Sequence, residues 1–166
     1  MKVTSLNKVI DFSTNSKNNN KTVGLVVGSF DILHVGHLNL FRLAKRYVDV
    51  LIVGLDHDET IKATKGSNRP VNNFKRRSEF LNDLHTVDKI FLIENISTHG
   101  SEESLETYTD LLENIKPTHI FTHEICDRHW KNKNNLAKKH KIVCVTDKSD
   151  KITTSGEIIQ KLMLDF

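Results

Sequence analysis

The residues best suited to chemistry lie close together between positions 28 and 37. The stretch reads Gly-Ser-Phe-Asp-Ile-Leu-His-Val-Gly-His. Its two histidines, His34 and His37, are three residues apart at the start of a predicted helix, so both imidazoles can face one point. The free N–H groups and the dipole of a helix N-terminus favour an anion there. The spacing therefore predicts a clamp for phosphate rather than an acid–base pair.

The flanking sequence predicts the elements that hold this clamp. Residues 23–27 form a short, β-branched apolar run, which is typical of a buried strand, and apolar residues recur at helical spacing after position 37. Gly28 ends the strand and lets the backbone approach a ligand, and Gly36 leaves room for a nucleotide at the helix start. A His-x-x-His pair alone would more often be a zinc fragment or two surface histidines. The strand–turn–helix context favours a phosphate site, because α/β proteins bind phosphates at such turns.

Strand-like and helix-like segments alternate along the rest of the chain. The pattern predicts five strands, at 23–27, 48–55, 87–93, 119–122 and 141–145. It predicts further helices at 1–13, from Asn72 or Asn73, from Ser101 to before Pro117, at 131–140 and after 153–156. Four aromatic residues at core-like spacings are predicted to pack in the core: Phe41, Tyr47, Phe80 and Phe91. We therefore expect a Rossmann-like, doubly wound α/β sheet of about five parallel strands in a single domain.

Two polar segments are expected to be irregular. Residues 1–21 are predicted to be an N-terminal extension, a short helix followed by a polar surface loop at 14–21. The domain itself is then predicted to span residues 22–166. Residues 59–71 are rich in lysine and arginine and are predicted to be a basic connecting loop. Mobile cations of that kind can close over a triphosphate.

Composition narrows the class of protein and of partner. The formal net charge is +3 in 166 residues, an excess that suits anionic small molecules and is too small to indicate a nucleic-acid partner. No apolar run approaches the roughly 20 residues that cross a bilayer, and the N-terminus lacks the apolar region of a signal peptide. Two cysteines, Cys126 and Cys144, are too few for a disulfide framework. We therefore expect a cytoplasmic protein with reduced thiols and without a membrane partner.

A second group of potential metal ligands occurs around the fourth predicted strand. The group consists of His119, His123, Cys126 and His129. Structural zinc ligands usually come as more closely spaced pairs, so this spacing argues against a metal site. The sequence leaves the role of this region open.

The pattern Gly-x-Phe-Asp-x-x-His-x-Gly-His at 28–37 resembles the signature of the nucleotidylyltransferase, or cytidylyltransferase-like, superfamily. That group includes glycerol-3-phosphate and phosphoethanolamine cytidylyltransferases and heptose-1-phosphate adenylyltransferases. The chain is most similar to the heptose-1-phosphate adenylyltransferase domain of bifunctional enzymes. The likeness covers about residues 22–95 well and includes Asp58, Lys62, Lys65, Gly66, 69–72, Arg77 and 87–88.

The resemblance implies a role for each matching residue. The implied catalytic residues, which would hold the triphosphate and stabilise charge, are His34, His37 and Lys65. The implied nucleotide-binding residues are Gly28, Ser29, Phe30, Asp31, Gly36, Arg77, Thr154 and Ser155. The implied substrate-binding residues are Asp58, Lys62 and Arg69. Taken alone, the hydroxyls at 154 and 155 would indicate helix capping, and Gly156 stands where the family has a hydroxyl residue.

The resemblance also implies a reaction. The expected enzyme transfers a nucleoside monophosphate from a nucleoside triphosphate, most simply ATP, to a phosphorylated sugar resembling heptose 1-phosphate, and it releases pyrophosphate. Mg²⁺ is expected to accompany the triphosphate, held by phosphate oxygens and water rather than by a dedicated set of protein ligands. Dimeric members of the family suggest, by analogy, a homodimer.

Several alternatives stay open at this stage. A CTP-dependent cytidylyltransferase acting on glycerol 3-phosphate or a related polyol phosphate would use the same triphosphate clamp, and adenylyl transfer resembling that of FAD synthetase is a further variant. A non-catalytic nucleotide-binding module could share the fold, since fold does not imply function. Residues 121–127 stand where the family has a Gly-Asp pair, so the base and the acceptor are undecided.

Overall fold

A parallel sheet of five strands forms the centre of the molecule. The computed structural model describes residues 2–150 and 152–164, and within them the strands are β1 (Val23–Gly28), β2 (Val50–Asp56), β3 (Lys89–Ile93), β4 (His119–His123) and β5 (Val143–Asp147). Their order across the sheet is β3-β2-β1-β4-β5, and every neighbouring pair is parallel. The predicted strands all form, which confirms the Rossmann-like α/β fold.

Helices cover both faces of this sheet. Within the described residues they are α1 (Leu6–Asn18), α2 (Val35–Ala44), α3 (Asp58–Lys65), α4 (Phe74–Asn82), α5 (Glu102–Ile115), α6 (Trp130–Lys139) and α7 (Ser155–Leu164). Buried side chains of α2 and α4, such as Phe41 and Leu81, pack on one face. Buried side chains of α1, α5 and α6, such as Val9, Leu112 and Ala137, pack on the other. Burial on both faces explains why the central strands read as nearly continuous apolar runs.

Two of the four aromatic residues predicted to be in the core lie on the surface. Phe41 and Phe91 are fully buried, whereas Tyr47 is 50% exposed and Phe80 is 54% exposed. On α4 it is Leu81 that points inward, and neighbouring helix positions lie about 100° apart, so Phe80 faces solvent. The prediction was therefore wrong for Tyr47 and Phe80.

The basic connection predicted at 59–71 begins as a helix instead. The side chain of His57 caps α3 by accepting the N–H of Glu59 at 3.1 Å. Acidic residues occupy the first turn of α3 and lysines its last turn, an arrangement that the helix dipole favours. The loop prediction was wrong up to Lys65, which therefore stands at the end of a helix.

The polar loop predicted at 14–21 also differs, because α1 continues to Asn18. The hydroxyl of Ser13 donates to the carbonyl of Ile115 at 2.6 Å, and the ammonium of Lys17 reaches the same carbonyl at 3.4 Å. That carbonyl belongs to the last turn of α5, whose carbonyls have no partner within the helix. Tertiary contacts thus extend α1 through a polar sequence. The boundary between the extension and the domain stays a prediction.

Replacing Ser13 by alanine should lower the free energy of unfolding by about 1–2 kcal/mol, because a buried carbonyl loses its short hydrogen bond. Urea unfolding followed by circular dichroism measures this directly. Ser149 is exposed, so the variant Ser149→Ala serves as the control and should match the native protein. Equal stability of the two variants would contradict the contact between α1 and α5.

The last helix is only partly covered. Ile158 and Ile159 of α7 are half-buried, whereas Leu162, predicted on the same apolar side, is 57% exposed. The side chain of Met163, also predicted on that side, lies outside the described residues, as do Lys151 and residues 165–166. None of the helices in the described ranges has the length and apolar composition of a membrane span.

Candidate active site

The stretch 28–37 lies at the carboxyl end of β1, in the middle of the sheet. Strand β1 has β2 on one side and β4 on the other, so the strand order reverses at this point. Open α/β sheets bind ligands at such a point, beyond the carboxyl ends of the strands. Helix α2 begins inside the stretch, at Val35, which directs its N-terminus toward this edge. The fold therefore places the predicted phosphate clamp where a ligand can enter.

The two histidines of the clamp are held in one orientation. Nδ1 of His34 accepts the N–H of Gly36 at 3.2 Å, and Nδ1 of His37 accepts the N–H of His34 at 3.4 Å. The rings stack with centroids 3.8 Å apart and planes 27° apart. Because each Nδ1 accepts a backbone N–H, a neutral ring carries its proton on Nε2. The site thus presents two Nε2–H donors side by side at the start of α2.

Both imidazoles are kept neutral. Burial, together with the charge of Lys65 and the charge that His34 would carry if protonated, lowers the pKa of His37 to about 3. Burial also lowers the pKa of His34, although the carboxylate of Glu157 opposes that shift. Two neutral rings can stack without charge repulsion. The pair is therefore suited to donating hydrogen bonds to an anion and not to taking up a proton near pH 7.

This depressed pKa makes the stability of the native fold depend on pH. The pKa of His37 is about 3 in the folded protein and near 6.5 when unfolded, so the unfolded chain binds the proton more readily. The contribution of neutral His37 is present above pH 6.5 and is lost as the pH falls toward 3. Between those values the native protein should lose at most about 1.4 kcal/mol per pH unit relative to His37→Asn. Urea unfolding at several pH values tests this, and parallel curves for the two proteins would contradict it.

Phe30 packs against His37 and so helps to hold the two histidines in place. Its backbone adopts a φ of 45°, in the left-handed region that a non-glycine residue rarely occupies. In this conformation its buried ring stands edge-on to His37 at 5.0 Å and packs on Phe41 at 5.2 Å. The ring thereby fixes the position of His37. The structure gives Phe30 a packing role in the site.

The two glycines of the stretch make room for protein side chains. A Cβ on Gly28 would lie 3.2 Å from the ring of Phe30, and one on Gly36 would lie 3.0 Å from the ring of His34. The sequence predicted that these glycines leave room for a ligand. In this structure the space beside each glycine is occupied by one of these two rings. The role of the two glycines toward a ligand stays a prediction.

Lys65 joins the clamp through Ser29. Its ammonium donates to the hydroxyl of Ser29 at 3.1 Å, and that hydroxyl donates to the carboxylate of Asp56 at 3.0 Å. Although Lys65 is an exposed residue, burial of its ammonium lowers its pKa, and the neighbouring Arg69 lowers it further. The structure therefore brings together Lys65 and Ser29, which the sequence assigned to catalysis and nucleotide binding, and adds Asp56 beneath them.

A histidine that sequence reasoning missed completes this chain of contacts. Nε2 of His99 lies 3.0 Å from the same Asp56 oxygen. Burial by itself raises the pKa of Asp56, but hydrogen bonds from His99 and Ser29 keep that pKa below its ordinary value, so the carboxylate is ionised. The position of Asp56 at the end of a predicted buried strand was the available signal. No local pattern indicates His99, because a loop brings it to the site.

Asp31 holds the segment that follows α3 in place through hydrogen bonds. Its carboxylate accepts the Nε–H of Arg69 at 2.6 Å and the backbone N–H groups of Val71 and Asn72 at 3.1 and 2.8 Å. The other end of Arg69 donates to the hydroxyl of Ser155 at 3.3 Å. Both oxygens of the buried carboxylate are thus in use. In this structure Asp31 and Arg69 position the site's loops and do not present free groups to a nucleotide or an acceptor.

Arg77 lies beneath the site and has no exposed surface. Its guanidinium donates to the carbonyls of Ser29 and Asp56 at 2.6 and 2.7 Å and to the carboxylate of Asp58 at 2.6 Å. Asp58 also accepts the N–H of Phe74 at 3.1 Å. The sequence placed Arg77 on the β- and γ-phosphates and Asp58 on the substrate. In this structure they join the ends of β1 and β2 to the starts of α3 and α4. Their contacts with phosphates and substrate stay a prediction.

The remaining predicted residues lie at the rim. Lys62 is exposed and pairs with Glu59 at 3.7 Å. The hydroxyl of Thr154 accepts the N–H of Glu157, whose carboxylate accepts the N–H of Thr154, which is the helix-capping arrangement. Glu157 also influences His34, so the start of α7 lies beside the start of α2. Thr154 and Ser155 therefore border the clamp.

The second histidine-containing region forms ordinary structural contacts. Nδ1 of His123 accepts the N–H groups of Ile125 and Cys126 at 3.2 and 3.3 Å. The ring of His129 packs against Gly100, and His119 pairs with the hydroxyl of its neighbour Thr118. Within residues 2–150 and 152–164, no group of three or more His, Cys, Asp or Glu side chains could hold a metal ion.

Similarity to known sequences covers most of the chain. A family model described as cytidylyltransferase-like matches residues 25–162. The bifunctional protein HldE of Desulfatibacillum aliphaticivorans is 30% identical over 152 residues, which are 89% of this chain and 28% of that protein. The HldE protein of Aliarcobacter butzleri is 39% identical over 97 residues, which are 58% of this chain and 18% of that protein. The chain thus spans less than a third of the length of these curated relatives.

Similarity to solved structures concerns the fold. A lipopolysaccharide core biosynthesis protein from Thermoplasma volcanium superposes with a TM-score of 0.57 at 20% identity, over 79% of this chain and 98% of that one. A pantoate-beta-alanine ligase from Francisella tularensis, crystallised with beta-gamma ATP and beta-alanine, gives a TM-score of 0.67 at 19% identity, over 100% of this chain and 78% of that one. Both proteins share the α/β architecture described above.

Proposed function

The chain belongs to the cytidylyltransferase-like family and is a nucleotidyltransferase, and we propose that it transfers the nucleoside monophosphate of ATP to the phosphate of a sugar 1-phosphate. One observation carries this proposal. The stacked pair His34 and His37 offers two neutral Nε2–H donors beside the ammonium of Lys65, at the sheet edge where the strand order reverses. Such an arrangement suits the oxygens of a triphosphate.

The proposed reaction is an in-line displacement at the α-phosphorus. An oxygen of the acceptor's phosphate forms a new bond to that phosphorus. The bond from the α-phosphorus to the bridging oxygen of the β-phosphate breaks, and pyrophosphate leaves with those electrons. The attacking phosphate oxygen is already ionised, so no protein group has to remove a proton. Catalysis then depends on positioning and on stabilising charge.

The histidines supply the stabilisation in this scheme. Charge builds up on the α-phosphate oxygens and on the bridging oxygen as the old bond breaks. Nε2–H donors fixed by backbone contacts to Nδ1 need no reorganisation at that moment, which makes them more effective than water. Their low pKa values keep His34 and His37 in the neutral donor form.

Lys65 and Mg²⁺ would neutralise the triphosphate. The exposed stem of Lys65 lets its ammonium move from Ser29 onto the α-phosphate. Mg²⁺ would enter as part of the substrate, bound by phosphate oxygens and water. The acidic groups Asp31 and Asp56 are already paired with Arg69 and His99, which fits a metal brought in by the nucleotide.

The choice of ATP and a sugar 1-phosphate rests on the similarity to the HldE proteins. It also rests on the resemblance of the segment from Lys65 to Asn72 to heptose-1-phosphate adenylyltransferases. Residues 121–127 depart from the family pattern, so CTP with glycerol 3-phosphate or a related polyol phosphate is the competing pair. Homodimerisation stays a prediction. The test is pyrophosphate release with each of ATP, CTP, GTP and UTP against a panel of sugar 1-phosphates and polyol phosphates.

We expect release that requires Mg²⁺ and an acceptor and that is fastest with ATP and a hexose or heptose 1-phosphate. If CTP is the only triphosphate that supports release, the proposed mechanism stands and the assigned substrates change. If the protein binds triphosphates and releases no pyrophosphate with any pair, the proposal of an enzyme fails and a nucleotide-binding module is favoured.

A further inference from the structure

We propose that Lys133 and His99 form the part of the site that binds the phosphate monoester of the acceptor. The inference rests on the proposed function and assigns the acceptor to residues that the sequence did not indicate. It concerns the face of the sheet covered by α5 and α6, whereas the stacked histidines stand on the face covered by α2.

Lys133 is held at the carboxyl end of β4 by a compact polar network. Its ammonium lies 2.7 Å from the carboxylate of Asp127, which also accepts the hydroxyl of Thr122 at 2.7 Å and the N–H of His129 at 3.0 Å. The ammonium stands over the ring of Tyr108 at 5.5 Å. The side chain of Lys133 is 19% exposed, so the network fixes a cation at the rim without enclosing it. An ammonium has three donors, and Asp127 uses one of them.

This network meets the centre of the site through two loops. The ring of His129 packs against Gly100, which follows His99 in the chain, so the loop after β4 touches the loop after β3. His99 in turn contacts Asp56 at 3.0 Å. Asp127, which holds Lys133, also accepts the N–H of His129, so Lys133 is connected to this contact between the two loops. The charge of Lys133 also contributes to the low pKa of Asp56. The network that holds Lys133, on α6, therefore meets the loop that carries His99.

The geometry of the reaction supports a cation on this face. In an in-line displacement the attacking oxygen and the leaving oxygen lie on opposite sides of the phosphorus. With the leaving pyrophosphate against the histidines on the α2 face, we assign the acceptor's phosphate to the side of the α5 and α6 face. The predicted acceptor residues Asp58 and Arg69 are engaged with Arg77 and Asp31. Lys133 and His99 lie on the side from which the acceptor would approach.

The test compares Lys133→Met with Lys139→Met, an exposed lysine of the same helix. Isothermal titration calorimetry with glucose 1-phosphate and with glycerol 3-phosphate, in the presence of a non-hydrolysable ATP analogue, measures acceptor binding. A charge-assisted contact of this kind corresponds to roughly a 10- to 100-fold change in Kd. We expect that loss for Lys133→Met, native affinity for Lys139→Met, and ATP-analogue affinity within about twofold of native for both variants. His99→Gln, a smaller change, should also weaken binding of the same phosphate esters.

Several results would overturn the inference. These are native phosphate-ester affinity in Lys133→Met, an equal loss of affinity for the ATP analogue, or no binding of either ester by the native protein. Pyrophosphate release tests the proposed function separately. If release occurs and Lys133→Met keeps the native KM for the acceptor, only this inference fails. If no release occurs but Lys133→Met loses phosphate-ester binding, the binding assignment stands and only the proposed reaction fails.

Discussion

Replacing His37 by asparagine should lower kcat for pyrophosphate release by about 100-fold or more. The amide oxygen of asparagine can accept the backbone N–H that Nδ1 accepts in the native protein, so the start of α2 should be retained. The Nε2–H donor to the phosphates is lost. Because the proposed contact strengthens as charge develops, the loss should fall mainly on kcat and less on the KM for ATP.

The matched control for this variant is His85→Asn, at an exposed histidine between α4 and β3. It should have native kinetics. A kcat for His37→Asn within a few-fold of native would remove His37 from the catalytic machinery. A rise in the KM for ATP with unchanged kcat would show that the donor binds substrate and transition state equally.

Replacing Arg77 by methionine should lower the free energy of unfolding by about 3–5 kcal/mol. The guanidinium is fully buried and satisfies two carbonyls and the Asp58 carboxylate, which methionine cannot do. Losing it leaves a partly buried negative charge and two carbonyls without their donors. Activity should fall as well, because the ends of β1 and β2 carry Ser29 and Asp56. Urea unfolding gives the stability change.

Arg76→Met provides the control, since Arg76 is the exposed neighbour on the same helix. Its stability should be close to native. If Arg77→Met lowers the free energy of unfolding by less than about 1 kcal/mol, the contacts of the buried guanidinium do not stabilise the fold as described. Such a result would favour instead the role that the sequence predicted for Arg77, which is contact with the β- and γ-phosphates.

The strands could be predicted because burial on both faces of a parallel sheet makes them apolar runs of strand length. Helix α3 was missed although its signals were readable: Asp58 and Glu59 start it and two lysines end it. The lysines and arginines of residues 59–71 led instead to the prediction of a basic loop. The length of α1 could not be predicted from local sequence, because Ser13 and Lys17 extend this helix through contacts with a helix about a hundred residues away in the chain. No local pattern carries that information.

The same distinction applies to the candidate site. His34 and His37 could be placed together because they are three residues apart at the start of one helix, which brings their side chains to the same side. The burial of Arg77 could not be predicted, since an arginine is ordinarily exposed and its burial here depends on three acceptors, one directly after β1, one in β2 and one in α3. His99 reaches the site only through the conformation of the loop after β3. Residues that join a site from separate loops are the ones that sequence reasoning misses.

In the proposed reaction the protein joins a nucleoside monophosphate to a phosphate oxygen of the acceptor. Phosphorus-31 NMR of the products, for the nucleotide and acceptor that release pyrophosphate fastest, tests it most directly. We predict two mutually coupled signals of a new unsymmetrical diphosphate, together with one equivalent of pyrophosphate, and neither product in His37→Asn over the same period. Nucleoside monophosphate and pyrophosphate without a new diphosphate would show hydrolysis, and nucleoside diphosphate with a newly phosphorylated acceptor would show transfer of the γ-phosphate. Either result would contradict the proposed reaction.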